Sequence, residues 1–145
     1  MISKIVLTIA VLFCFVSALR AQDAAESESA RPRTFEMKEG DTTYTMKQYV
    51  FVVLMRGKKA YDYSEAELDS LQAGHMANMN RLAEEGKLVM AGPFGEGGDH
   101  RGLMILDCAT IKEAEAFLAT DPAVQAGRLR CEFHTWWGAV GTELK

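Results

Sequence analysis

Residues Tyr49–Met55 read YVFVVLM and are closed by Arg56-Gly57. The run is β-branched and aromatic, and seven residues is strand length rather than helix length, so it predicts a β-strand. Side chains alternate across a strand. Tyr49, Phe51, Val53 and Met55 therefore share one face, and Val50, Val52 and Leu54 share the other. A strand with one wet face would alternate apolar with polar residues. This one does not, so both of its faces need cover.

Moving outward, the next segment carries helix punctuation. Ser64 and Glu67 form an S-x-x-E capping box, and Gly86 stands where a left-handed residue ends a helix. Between them Leu68, Leu71, Met76, Met79, Leu82 and Ala83 recur at helical spacing as one expected apolar stripe. Lys87–Ala91 (KLVMA) predicts a second strand, stopped by Gly92-Pro93. A glycine-rich loop, Phe94–His100, leads to a third strand at Gly102–Leu106 (GLMIL). Thr110 and Glu113 open a second helix running through Ala119. Asp121-Pro122 starts a short helical turn that ends near Gly127, with Asp as cap and Pro as first helical residue. Arg128–Trp137 (RLRCEFHTWW) is the last strand, with Trp136 and Trp137 on opposite sides, one expected in the core and one at a dimer or pocket wall.

The order βαββαβ predicts an α+β, ferredoxin-like fold, with a four-stranded antiparallel sheet and both helices on one face. In the third strand Leu103 and Ile105 again oppose Met104 and Leu106. Two helices cover one face only. A second copy of the sheet is the simplest cover for the other, which predicts a homodimer. The same strand order places the first strand between Cys108 and Cys131. Two strand spacings, roughly 9–10 Å, exceed the about 4.4–6.8 Å that a disulfide tolerates. Two thiols are expected there.

Upstream, Phe35 and Met37, then Tyr44 and Met46, alternate around Glu39-Gly40-Asp41, the pattern of a short hairpin. Gln22–Arg33 is polar with no apolar period and reads as a tether. At the start, Lys4 is followed by an apolar run from Ile5 to Val16 and then by Ser17, Ala18 and Ala21. This is the layout of a secretory signal peptide, with cleavage after Ala18 or Ala21; an uncleaved anchor is the other reading. The organisation expected is a signal peptide over 1–21, a tether and possible hairpin over 22–44, and a domain over 45–145. The mature protein is then exported, periplasmic or secreted, and free of the membrane.

The 145 residues are 25% charged and 48% hydrophobic, the balance of one ordinary globular domain. The formal charge is −4 with no long basic run, which argues against a nucleic-acid partner. Removing 1–21 takes away Lys4 and Arg20, lowering 16 basic residues to 14 against 20 acidic ones.

His75 lies four residues after Leu71 and four before Met79. A histidine there is either a satisfied core residue or a general acid/base, since imidazole titrates near neutrality. Asp121 caps its turn, and its second oxygen is free to orient an imidazole. Ser70 suits a solvated face and leaves no nucleophile near His75, which disfavours acyl transfer. His100 and His134 lack zinc spacing with His75, the glycine-rich loop matches no nucleotide-binding pattern, and no haem-ligand pattern is present. No cofactor or metal is expected. Arg101, beside that loop, reads as solvated, with anion binding as the other possibility.

Three stretches carry a resemblance: Leu71–Leu106 with His75, EEGKLVMAGPF and RGLMIL, then Glu113–Trp137 (EAEAFLATDPAVQAGRLRCEFHTWW). Over roughly residues 47–140 the chain resembles the YciI-like (YCII-related) family. The resemblance implies a dimeric α/β barrel and an active site built on a His-Asp pair, here His75 and Asp121. Most members have no assigned reaction, and a few act on chlorinated aromatic ring-cleavage intermediates. The functional expectation is a small-molecule lyase or isomerase using this dyad. The alternative is a non-catalytic small-ligand-binding or stress-related module with a structural His75.

Overall fold

The structure, a computed structural model, describes residues 33–143. The expected signal peptide and residues 22–32 of the tether lie outside the described residues. Along the chain run β1 (Thr34–Glu39), β2 (Thr42–Arg56), α1 (Glu65–Glu84), β3 (Leu88–Pro93), β4 (His100–Leu106), α2 (Ile111–Leu118), α3 (Pro122–Gln125) and β5 (Leu129–Ala139).

All strand pairings are antiparallel, and β2 lies between β4 and β5, with β3 outside β4. That is the ferredoxin-like α+β arrangement. The sheet has five strands rather than four. No glycine or proline interrupts Thr42–Arg56, so the alternation of Tyr44 and Met46 continues into Gln48 and Val50 as one 15-residue strand. Its first part pairs with β1 through a turn at Gly40, whose φ of 60° is the left-handed conformation glycine adopts freely. Strand β3 continues through Gly92 to Pro93 instead of stopping before them; as an edge strand it tolerates proline's missing donor.

Val50, Val52 and Leu54 point to the helix side. They pack with Met104 and Leu106 of β4, Leu82 of α1, and Ala114 and Leu118 of α2. Each fully buried aliphatic side chain of this kind contributes about 1.5–3 kcal/mol. On the opposite face Tyr49, Phe51 and Val53 are only half-buried. Trp136 lies beside Tyr49 with ring centroids 5.9 Å apart. Trp137 does not enter the core; it meets Phe35 of β1 edge-on at 4.9 Å.

The capping box forms, with the Glu67 carboxylate accepting from Ser64 N at 2.8 Å and Ser64 Oγ at 2.6 Å. The buried face of α1 is rotated from the expected stripe. It holds His75, Asn78 and Leu82, while Met76 is 44% exposed and Ala83 is exposed. Cys108 and Cys131 are free thiols with β2 between their strands. Burial, then the charges of Glu113 and Asp107, pushes the Cys108 thiol up to about 12. Burial and Asp121 push Cys131 up to about 11. Among the described residues no helix is long and apolar enough to cross a membrane.

Candidate active site

The site begins with a helix cap. Asp121 precedes Pro122, and its Oδ1 accepts from Ala123 N at 2.9 Å and Val124 N at 3.4 Å. That leaves Oδ2 to point at α1, where it meets His75 Nδ1 at 2.6 Å and accepts from Asn78 Nδ2 at 3.3 Å. Asp121 is fully buried. His75 and Asn78 are three residues apart and so share one face of α1. Asn78 is itself held, its Oδ1 accepting from Arg81 Nη2 at 2.8 Å and Thr120 Oγ1 at 3.0 Å.

Gly74 brings these groups together. A Cβ at that position would stand 2.9 Å from Pro122 Cγ and 3.2 Å from Pro122 Cβ. With no side chain there, α1 closes onto the residue next to Asp121. This contact accounts for the rotation of the helix, because the face that meets α3 is the face carrying His75 and Asn78.

Burial is the largest single influence on Asp121 and raises its carboxyl. The hydrogen bond and charge of His75, with the amides of Ala123 and Val124, together outweigh it and hold the carboxyl below its ordinary value. The carboxylate can only accept, so His75 Nδ1 is the donor, and in the neutral imidazole the lone pair is then on Nε2.

His75 also lines a cavity of about 680 Å³ between α1 and one end of the sheet. Among the described residues Nε2 has no hydrogen-bond partner, and no buried side-chain nitrogen or oxygen is left unpaired, so Nε2 is not sealed away from solvent. Leu54, Met76, Met79 and Pro93 give the walls an apolar character. Among the described residues no serine, threonine or cysteine lines the cavity, and Ser70 is exposed on α1. His100 and His134 are exposed and lie outside the lining. Among the described residues no three His, Cys, Asp or Glu side chains are grouped to hold a metal ion.

The structure thus brings His75 and Asp121 into contact. It adds Asn78, Gly74, Arg56 and Arg128, which the sequence reading did not single out. The i, i+3 spacing of His75 and Asn78 was available as a signal for Asn78. Arg101 also lines the cavity.

The family model for the YCII-related domain matches residues 50–131, more than half of the chain. The chain belongs to the YCII-related domain family. The match spans β2 from Val50 through the start of β5 and contains both His75 and Asp121, while β1 falls outside it. No curated protein matches the chain. Among solved structures, this YCII-related chain is similar to the 5-chloro-2-hydroxyhydroquinone dehydrochlorinase of Burkholderia phenoliruptrix in complex with 2,5-dihydroxybenzoquinone. The identity is 22% and the TM-score 0.44, covering 60% of this chain and 92% of that one.

Proposed function

We propose that this YCII-related protein is a small-molecule enzyme of the lyase or isomerase type, in which His75 Nε2 moves a proton to or from a carbon atom. Asp121 is the positioning residue. It fixes the tautomer and stabilises the imidazolium formed when Nε2 takes the proton. The electron pair of the broken C–H bond becomes a new double bond. Either a leaving group departs with its own pair, or the proton returns at another atom of the same molecule. What carries the reading is the 2.6 Å His75–Asp121 contact beside an open cavity. Among the described residues the lining holds no hydroxyl or thiol nucleophile other than the Tyr61 phenol, which weighs against a covalent acyl intermediate.

Two further expectations belong to this proposal. The protein acts as a homodimer joined through the half-buried face of Tyr49, Phe51 and Val53, and it acts after export. The apolar character of that face supports the first. The sequence of residues 1–21 supports the second.

The test is wash-in of solvent deuterium at carbon, followed by NMR, over a panel of small ketones, lactones and hydroxylated aromatics. His75→Ala is expected to lower exchange by roughly 10²–10⁴-fold while the circular dichroism spectrum stays that of the wild type. Full exchange by folded His75→Ala contradicts the proposal. A wild-type protein that binds panel members but exchanges none returns His75 to a structural role in a ligand-holding module.

A further inference from the structure

The cavity beside His75 has an uneven charge. Arg56, Arg101 and Arg128 all line it, and among the described residues no aspartate or glutamate does. The whole chain carries a formal charge of −4, so this concentration of cations runs against its overall composition. The three residues are far apart in sequence but meet at one end of the sheet. Arg56 ends β2, Arg101 is the second residue of β4, and Arg128 directly precedes β5. Since β2 lies between β4 and β5, the Arg56 backbone is one strand spacing, about 5 Å, from each neighbouring strand. Those of Arg101 and Arg128 are two spacings, roughly 10 Å, apart laterally, a gap that two long arginine side chains can span.

Their present partners leave much of that charge uncompensated. Arg56 Nη2 donates to the Gly98 carbonyl at 2.7 Å, and its guanidinium lies 5.0 Å from the centre of the Tyr61 ring. The carboxylate paired with it, Asp99, stands 3.9 Å from Nε and is 74% exposed. Arg128 Nη1 donates to a neutral group, Gln72 Oε1, at 3.3 Å. Arg101 makes no side-chain hydrogen bond or ion pair among the described residues and is exposed at the rim. Like charges gathered in one concavity repel each other and focus a positive potential into it. An anion entering the cavity relieves that repulsion.

We propose that the ligand of this cavity is a small organic carboxylate, its acid group held by Arg101 and Arg128 with Arg56 behind them, and its apolar body lying toward Met76, Met79 and His75. The planar guanidinium fork matches a carboxylate edge, with two parallel donors to two oxygens. The apolar walls favour an organic acid over a bare inorganic anion, because they reward burial of a carbon body. The arginines sit at the sheet end and His75 on the helix, so the acid group anchors the molecule while its carbon skeleton faces Nε2. The inference rests on the reading of this cavity as a small-molecule site, and it adds the substrate class.

The probe is 2-naphthoate, compared with the neutral isostere 2-naphthamide, titrated into the full-length and signal-cleaved protein by NMR. The acid is expected to bind at least about tenfold more tightly than the amide, as charge-assisted hydrogen bonds would give, and the gap should shrink with added salt. Arg101→Gln and Arg128→Gln are each expected to remove most of the gap and leave amide binding unchanged. Arg101→Lys, which keeps the charge and loses the fork, should fall between. An acid that binds no better than its amide overturns the inference, as does a gap that survives in folded Arg101→Gln and Arg128→Gln. His75→Ala separates the two proposals. Deuterium exchange that depends on His75 without any acid–amide gap sinks the carboxylate class alone. A gap that persists while exchange is indifferent to His75 sinks the proton-transfer reading alone.

Discussion

Asp121→Ala is expected to lower the stability of the fold by at least about 1–3 kcal/mol, the cost of leaving a buried donor without its acceptor. The side chain is wholly inaccessible and takes four donors, from His75, Asn78, Ala123 and Val124. Alanine satisfies none of them, and α3 loses its cap as well. Urea unfolding followed by circular dichroism reads the effect as a lower midpoint at unchanged slope. A loss below about 1 kcal/mol, the range of an ordinary exposed substitution, would show that Asp121 is not the junction of α1 and α3. The pH dependence has a definite sign. The folded protein holds the Asp121 proton less tightly than the unfolded chain does. The stabilisation is therefore complete above the unfolded carboxyl value of about 3.9 and is lost as the pH falls through the lower folded value. Wild type and Asp121→Ala should converge in stability toward acid.

Gly74→Val should damage the site without touching either member of the dyad. Its Cβ would stand 2.9 Å from Pro122 Cγ, and the branched γ-carbons would add to the conflict. The proline ring is rigid and sits directly after Asp121, so relief comes from separating α1 from α3. Over-packing of this kind costs about 1–3 kcal/mol. Deuterium exchange should fall by much more than stability does, because the 2.6 Å contact stretches with the helix separation. Gly74→Ala is the informative companion. Alanine gains about 1 kcal/mol of helix propensity over glycine, so a mild effect on stability with a clear loss of exchange would identify the close approach as the cause. Normal exchange in Gly74→Val would show that the dyad does not depend on this contact.

Much of the fold was legible because its signals are local. The β-branched run at Tyr49–Met55, the Ser64/Glu67 box and the Asp121-Pro122 cap each act within a few residues, and each appears where its chemistry places it. His75 and Asp121 were legible as candidates through the resemblance, and the cap geometry explains how one carboxylate serves both helices. Features that depend on distant contacts were harder to read. The apolar spacing of α1 suggested a stripe through Met76 and Ala83, but Gly74 seats the helix on Pro122 and turns those residues outward. One of Trp136 and Trp137 was expected in the core without a choice between them, yet the unbroken β2 carries β1 alongside Trp137 and offers Phe35 as its partner. Arg56, Arg101 and Arg128 have no periodicity in the chain. Only the strand order β4-β2-β5 gathers them around one cavity.

The central claim is that Asp121 holds the His75 ring with Nδ1 protonated and Nε2 presented to the ligand. The nitrogen-15 shifts of the His75 ring report this directly, read in weakly alkaline solution with and without 2-naphthoate. The expected result is a protonated Nδ1, a bare Nε2 and a shift of Nε2 when naphthoate enters. The opposite tautomer, or an Nε2 indifferent to the bound acid, would contradict it.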